Sequence, residues 1–116
     1  MDVAALQNLP VPGVEDRGPY IVFVLLRARP EQADALEARL LRQVEPTRAE
    51  PGCVAYNLAR DRIDPDRFFF YESYTDLAAF ESHLAMDYNR TLMRELPSYL
   101  AEEPDVRFGV TSRGAT

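Results

Sequence analysis

The sequence predicts a single α+β domain whose elements follow one another in the order β-α-β-β-α-β. Three observations carry this prediction: runs of strand-forming residues, a turn-rich segment between two of these runs, and apolar residues at helical spacing elsewhere. The chain has 116 residues, the usual size of one domain, of which 47% are hydrophobic and 28% charged. One folded, globular core must therefore carry any functional site.

The first predicted strand covers residues 20–26, which are β-branched, aromatic or leucine and are apolar on both faces. A helix is predicted to open at Pro30, because apolar side chains recur there at three- and four-residue spacing: Ala33, Leu36, Leu40 and Val44. Pro46 and the pair Pro51-Gly52 are expected to end it. Residues 1–19 lack a sustained period and predict an irregular arm before a domain over residues 20–112, with 113–116 as a tail.

Residues 53–60 and 67–74 flank a segment rich in Asp and Pro, and this pattern predicts a β-hairpin. Thr75 or Asp76 is expected to cap a second helix. Its apolar stripe continues, after a break near Asp87, into a further helical stretch: Leu77, Phe80 and Leu84, then Tyr88, Leu92, Leu96 and Leu100. A last short strand is expected over residues 106–110. This order is the ferredoxin-like motif, with one antiparallel sheet and both helices on one face.

The first and third strands are apolar on both faces, although a sheet covered by helices on one side should alternate apolar with polar residues. Uncovered, either the set Tyr20, Val22 and Val24 or the pair Phe69 and Tyr71 would form an apolar patch that monomers rarely tolerate. A second sheet is the expected cover. Two copies paired sheet on sheet predict a homodimer with a dimeric α/β barrel.

Composition excludes several partners and cofactors. The net charge is −6, without a basic block, which argues against nucleic acid, and no apolar run approaches the length of about 20 residues that a membrane span needs. We expect a cytoplasmic protein. Cys53 and His83 are the sole residues of their types, so a metal centre built by the protein is not expected. The glycines form no G-x-G-x-x-G loop, and we expect no cofactor.

Three segments together resemble the antibiotic biosynthesis monooxygenase family: Glu-Pro-Gly-Cys-Val-Ala-Tyr-Asn at 50–57, Arg-Phe-Phe-Phe-Tyr-Glu-Ser-Tyr-Thr-Asp at 67–76 and Ala-Phe-Glu-Ser-His-Leu at 79–84. The resemblance covers about residues 20 to 110. It implies a dimeric α/β barrel. For many members it also implies oxidation of phenolic polyketides or quinols by O2, without a metal or organic cofactor, although one fold can serve several chemistries.

The resemblance also separates branches of the family. Haem-degrading members carry Asn, Trp and a haem-ligating His where this chain has Leu26, Tyr74 and Met93, so haem degradation is disfavoured. Members similar to the actinorhodin-pathway monooxygenase use Asn and Trp on the third strand and a later Arg, where this chain has Phe70, Tyr74 and Arg94. Of these three family residues, this chain retains the arginine alone, at Arg94.

Glu72 and His83 match positions common in the quinol-monooxygenase-like branch. His83 is our candidate general base, at the edge of its helix stripe and with an ordinary pKa of about 6.5; the alternative is a half-buried histidine bonded to a backbone carbonyl. Glu72 is a candidate for substrate binding, or else a structural ion-pair or hydrogen-bonding partner.

Five aromatic or polar residues complete the candidate site. Tyr74 is predicted to stack on a flat phenolic substrate, or else to pack in the core. Arg94 is predicted to stabilise an anion, or else to be solvated. Phe70, Asn57 and Phe80 are further candidates for substrate binding.

The leading hypothesis is a cofactor-independent monooxygenase acting on a phenol, anthrone or dihydroquinone with O2. One alternative is a non-oxidative enzyme on the same fold, such as a cyclase, isomerase or decarboxylase. The other is a non-catalytic dimeric stress or small-ligand-binding protein. An open cavity bordered by His83, Tyr74 and Glu72 would favour an enzyme, and close packing would favour the non-catalytic alternative.

Overall fold

The structure is a computed structural model that describes residues 8–13, 16 and 18–112. Part of the predicted arm and the whole predicted tail over residues 113–116 lie outside the described residues. The order of elements is β-α-β-β-α-β, with the second helix in two pieces: β1 (Tyr20–Arg27), α1 (Ala33–Arg48), β2 (Cys53–Arg60), β3 (Arg67–Tyr74), α2 (Leu77–Ala85), α3 (Asp87–Glu95) and β4 (Asp105–Gly109). Single 3₁₀ turns precede α1 at Pro30–Gln32 and follow α3 at Leu96–Ser98.

The four strands form one antiparallel sheet in the order β2-β3-β1-β4. β1 is central and pairs with β3 on one side and β4 on the other, for example Val22 opposite Glu72 and opposite Phe108. This is the sheet of a ferredoxin-like domain, so the predicted α+β fold class is confirmed.

The two faces of the sheet differ in what covers them. Side chains on the helix face include Val22, Val24 and Phe70, which are at most 8% exposed. The opposite face is open in the single chain, and there Phe23 is 41% and Tyr71 38% exposed. The β1 side chains on the open face are therefore Ile21, Phe23 and Leu25, and not the set Tyr20, Val22 and Val24, because antiparallel partners such as Val24 and Phe70 share a face. Of these three, Phe23 is exposed, Leu25 is half-buried and Ile21 is buried.

Two predicted helix ends differ from the structure. Pro46 does not end α1, which continues to Arg48. A proline in the last turn costs only its own hydrogen bond, and the N–H of Ala49 still reaches the carbonyl of Glu45 at 3.1 Å. Leu100 lies beyond the second helix, in an isolated bridge with Ala28, because Pro97 has no N–H with which to continue α3.

The start and the break of the second helix are as predicted. Oδ1 of Asp76 accepts a 2.8 Å hydrogen bond from the N–H of Ala79 and so caps α2. Met86 is extended, with ψ of 137°, and separates α2 from α3.

The last strand begins one residue earlier than expected, at Asp105, and ends at Gly109. Within the described ranges, no helix is long and apolar enough to cross a membrane.

Candidate functional site

A cavity lies between the helices and the covered face of the sheet. The space open to the centres of water molecules is about 50 Å³, enough for a few waters. Its wall is mostly aliphatic and aromatic and comes from β1, β2, β3, β4 and all three helices: Val22, Val24, Leu26, Leu40, Tyr56, Phe70, Glu72, Phe80, His83, Leu84, Asn89, Leu92, Met93, Leu96 and Val106. The polar side chains in this wall are those of Tyr56, Glu72, His83 and Asn89.

His83 projects from α2 into this layer and is only 3% exposed. Helical spacing explains its position, because it follows the buried Phe80 by three residues. Its Nδ1 lies 2.9 Å from Oε2 of Glu50, and the hydroxyl of Tyr88 donates a hydrogen bond to the same oxygen. The imidazole is thus tied to a buried carboxylate and not to a backbone carbonyl.

The turn after α1 brings Glu50 to this position. The N–H of Glu50 donates to the carbonyl of Thr47 at 3.0 Å, and the N–H of Cys53 donates to the carbonyl of Glu50 at 3.1 Å. Gly52 permits the turn to press against α2, since a Cβ at this residue would lie 2.4 Å from the Cβ of Ala79. Ala79 precedes His83 by one helical turn, so this close approach sets Glu50 beside the imidazole.

Glu72 lies on the other side of the His83 ring. Its Oε1 accepts a 2.6 Å hydrogen bond from the hydroxyl of Tyr74 and lies 3.9 Å from Nε2 of His83. The second distance exceeds that of a hydrogen bond. Glu72 is 5% and Tyr74 0% exposed, so neither is solvated in the single chain.

Burial dominates the electrostatics of this group. It raises the pKa of Glu72 from 4.5 to about 7, opposed by the hydrogen bond from Tyr74 and reinforced by the charge of Glu50. Burial lowers the pKa of His83 below 6.5, and the contact with Glu50 opposes that effect. The pKa of Tyr74 is raised, first by burial and then by the charge of Glu72. Near neutral pH the site therefore holds a neutral imidazole beside a carboxyl group that readily carries a proton.

Of the residues proposed from the sequence, His83, Glu72, Phe70 and Phe80 line the cavity. Tyr74 is absent from the cavity wall. It lies behind Glu72, where its hydroxyl is engaged by the carboxylate and its ring packs 5.2 Å from that of Phe80.

The structure does not bring Arg94 or Asn57 into the site. Arg94 is exposed and donates to Thr91 at 3.2 Å, because Leu92 and Met93 are the residues that α3 turns inward. Asn57 lies on the open face of the sheet, since its neighbour Tyr56 faces the helices. Its Oδ1 accepts a 3.0 Å hydrogen bond from Arg48.

Sequence reasoning missed several residues of the site. Tyr56 and Asn89 carried a signal: Tyr56 alternates with solvent-facing neighbours, and Asn89 precedes Leu92 and Met93 at helical spacing. Tyr88 was predicted in the apolar stripe of the second helical stretch, but nothing in the sequence predicted its contact with Glu50, because a turn and the angle between α2 and α3 determine where these two side chains meet.

In the part of the chain that the structure describes, no three His, Cys, Asp or Glu side chains are grouped to hold a metal ion. Glu50 and Glu72 approach opposite nitrogens of the His83 ring. They therefore cannot ligate one ion together with that histidine.

Comparison with known proteins identifies the relatives of this chain. The chain is 27% identical over 97 residues to the uncharacterized protein sll1783 of Synechocystis sp., a match that covers 84% of this chain and 65% of that one. The chain thus spans just under two thirds of the length of this curated relative. The fold is similar to that of PA3566 from Pseudomonas aeruginosa (30% identity, TM-score 0.78, 84% of this chain and 98% of that one). It is also similar to that of Rv0793 from Mycobacterium tuberculosis (26% identity, TM-score 0.79, 84% of this chain and 99% of that one).

The family described as antibiotic biosynthesis monooxygenase matches residues 19–95. That stretch runs from the start of β1 to the end of α3 and includes His83, Glu72 and Glu50. The chain belongs to the antibiotic biosynthesis monooxygenase family.

Proposed function

We propose that the chain is a cofactor-independent monooxygenase that oxidises a phenolic, anthrone or dihydroquinone substrate with O2. The observation that carries the proposal is the position of His83, whose imidazole lines an apolar cavity with Nε2 3.9 Å from Oε1 of Glu72. A buried base and a second group that holds or releases a proton are what the removal of a phenolic proton requires. Membership of the family supports the same chemistry.

In the proposed reaction His83 takes the substrate proton, and the resulting anion passes one electron to O2. The radical pair recombines to form a carbon–oxygen bond, His83 returns its proton to the peroxide anion, and the hydroperoxide then loses water. For an anthrone this converts a CH2 carbon to a carbonyl, so one oxygen atom enters the product and the other leaves as water. Protonated Glu72 is the proposed hydrogen-bond donor to the substrate oxygen, a role that Arg94 does not fill because it is exposed and does not line the cavity.

The size of the cavity bears on the substrate. A space of about 50 Å³ admits O2, whereas a benzene ring occupies cavities on the order of 150 Å³. An aromatic substrate must therefore displace side chains of the wall. Leu84 is partly buried in that wall, so it is our candidate for the residue that yields.

The proposal is tested by O2 uptake with a monocyclic dihydroquinone, corrected for autoxidation without protein. His83→Asn is the informative variant, because its amide N–H remains near the place of Nδ1 and can donate to Glu50, while the base at Nε2 is lost. We expect a fall in rate on the order of 10²-fold. Arg94→Ala is the matched control and should retain the parent rate. A His83→Asn protein as active as the parent would contradict the proposal.

A second candidate function is a proton-transfer isomerase. The same pair supports it, because His83 can remove a proton and protonated Glu72 can return one without any oxidant. Turnover of a substrate under strict exclusion of O2 would favour the isomerase, and dependence on O2 would favour the monooxygenase.

We further propose that the protein works as a homodimer through the open face of the sheet. The support is a group of aromatic and aliphatic side chains on that face, in which the rings of Phe23 and Tyr71 meet edge to face at 5.4 Å. Both rings are more than a third exposed in the single chain. A second sheet packed on this face would remove that apolar surface from water.

A further inference from the structure

We infer that Glu50 is a positioning residue that holds His83 in the tautomer with its proton on Nδ1, so that the lone pair of Nε2 faces the Glu72 side of the cavity. The inference rests on the proposed function in one respect only, that His83 acts as the base. The arrangement itself is a property of the protein without substrate.

The contacts of Glu50 determine where the imidazole proton lies. An ionised carboxylate only accepts hydrogen bonds. Oε2 of Glu50 accepts a hydrogen bond from the hydroxyl of Tyr88 and lies 2.9 Å from Nδ1 of His83. A lone pair on Nδ1 would face the lone pairs of that oxygen, so Nδ1 must carry the hydrogen. The neutral ring then has its lone pair on Nε2, which has no hydrogen bond to Glu72 at 3.9 Å.

Packing prevents the ring from turning away from this arrangement. The imidazole lies 5.3 Å from the ring of Tyr74 and 5.9 Å from that of Tyr56, measured between centroids. Glu50 is itself held by the turn that Gly52 allows to press on α2. The turn after α1, helix α2 and the sheet therefore together fix the Glu50 carboxylate, the His83 imidazole and their mutual orientation.

This arrangement also favours His83 as a base. When Nε2 takes a proton, the imidazolium lies against the Glu50 carboxylate, which stabilises the positive charge in a buried site. The titratable groups that face the ring are few and come from the turn after α1, from β2, from β3 and from α3: Glu50, Tyr56, Glu72, Tyr74 and Tyr88. Glu50 is the group in direct contact with the ring nitrogen, so its charge is the one whose removal should alter the tautomer.

The chain has one histidine, which makes the test direct. In tag-free, ¹⁵N-labelled protein, long-range ¹H–¹⁵N NMR of the imidazole reports on His83 alone. We expect Nδ1 to appear as the protonated nitrogen and Nε2 as the unprotonated one. Glu50→Gln should mix the tautomers, because an amide offers both a donor and an acceptor, and should lower the pKa of the imidazole. Tyr88→Phe is the matched control: it removes a neighbour of Glu50, keeps the carboxylate and should keep the tautomer.

Kinetics give a second readout. Glu50→Gln should lower kcat by on the order of 10-fold or more, leave KM nearly unchanged and move the acid limb of the rate profile to lower pH. Glu50→Asp should retain part of the kcat that Glu50→Gln loses.

The inference is overturned if the neutral imidazole of the parent protein carries its proton on Nε2, or if Glu50→Gln changes neither the tautomer nor the titration of His83. Should Glu50→Gln fail to fold, the spectrum of the parent still decides. An Nδ1-protonated histidine in a protein without oxygenase activity would refute the proposed function and not this inference.

Discussion

The hydroxyl of Tyr74 donates a 2.6 Å hydrogen bond to Oε1 of Glu72, and this oxygen lies 3.9 Å from Nε2 of His83. The hydroxyl of Tyr74 thus acts on the candidate base through Glu72, while the ring of Tyr74 packs against the imidazole directly, 5.3 Å from it between centroids. It stabilises the charged form of Glu72 and so counteracts part of the effect of burial on that carboxyl group.

Tyr74→Phe should destabilise the protein, because it leaves a buried carboxylate oxygen without its donor. The expected loss in the free energy of unfolding is about 1–3 kcal/mol, measured by urea denaturation at pH 8. Tyr71→Phe, on the opposite face of the same strand and exposed, should change stability by less than about 0.5 kcal/mol. Equal effects of the two substitutions would show that the Tyr74 hydroxyl has no special role.

Glu72→Gln should become increasingly stabilising, relative to the parent, as pH rises from 4.5 to about 7. In that range the folded parent keeps a proton on Glu72 that the unfolded chain releases, so ionisation of this residue weakens folding as pH rises. The lowered pKa of His83 acts in the opposite direction below pH 6.5, but it is present in both proteins and largely cancels. The difference between unfolding free energies at pH 5 and pH 8 should be on the order of 3 kcal/mol. A difference independent of pH would mean that Glu72 is ionised throughout.

Tyr71→Asp should disrupt the proposed dimer by placing a charge in a sheet-on-sheet interface. Sedimentation should give about twice 13.2 kDa for the parent and a smaller mass, or an unfolded chain, for the variant. Leu41→Asp is the matched control, because Leu41 is an exposed apolar residue on α1 and not on the sheet. A parent protein that is monomeric at micromolar concentration would refute the dimer.

Gly52→Ala should force the turn that holds Glu50 away from α2, since its Cβ would overlap that of Ala79. The expected cost is about 1–3 kcal/mol in the free energy of unfolding. Ala79→Gly removes the overlapping methyl group, so the double variant should recover on the order of 1 kcal/mol or more beyond additivity in a double-mutant cycle. Ala78→Gly, at an exposed position of the same helix, should give no such recovery.

Local pattern was sufficient to predict most of the fold. Alternation along β3 correctly put Phe70, Glu72 and Tyr74 on one face, and helical spacing from Phe80 put His83 at the edge of the buried stripe. The last turn of α1 was predicted wrongly, because the rule that proline ends a helix is weak where few hydrogen bonds remain to be lost.

The site was predictable only in part. Arg94 was a candidate because the family resemblance matched it to an arginine, and Asn57 because it is a polar residue on the second strand. The spacing of their own elements directs both side chains away from the cavity. Glu50 could not be predicted as the partner of His83. Their contact depends on a tight approach between a turn and a helix, which no periodicity in the sequence encodes.

The central place of β1 in the sheet has a consequence for how the protein is made. Its neighbour β4 is the last of the four strands of this sheet to leave the ribosome, yet Val22 and Val24 of β1 and Val106 of β4 belong to the same cavity wall. A nascent chain that has not reached Asp105 exposes one edge of an apolar strand and leaves the cavity open on that side. Pairing between the first and the last strand is a long-range contact, which forms slowly compared with local ones. The candidate site is therefore completed only after nearly all of the described chain has been synthesised.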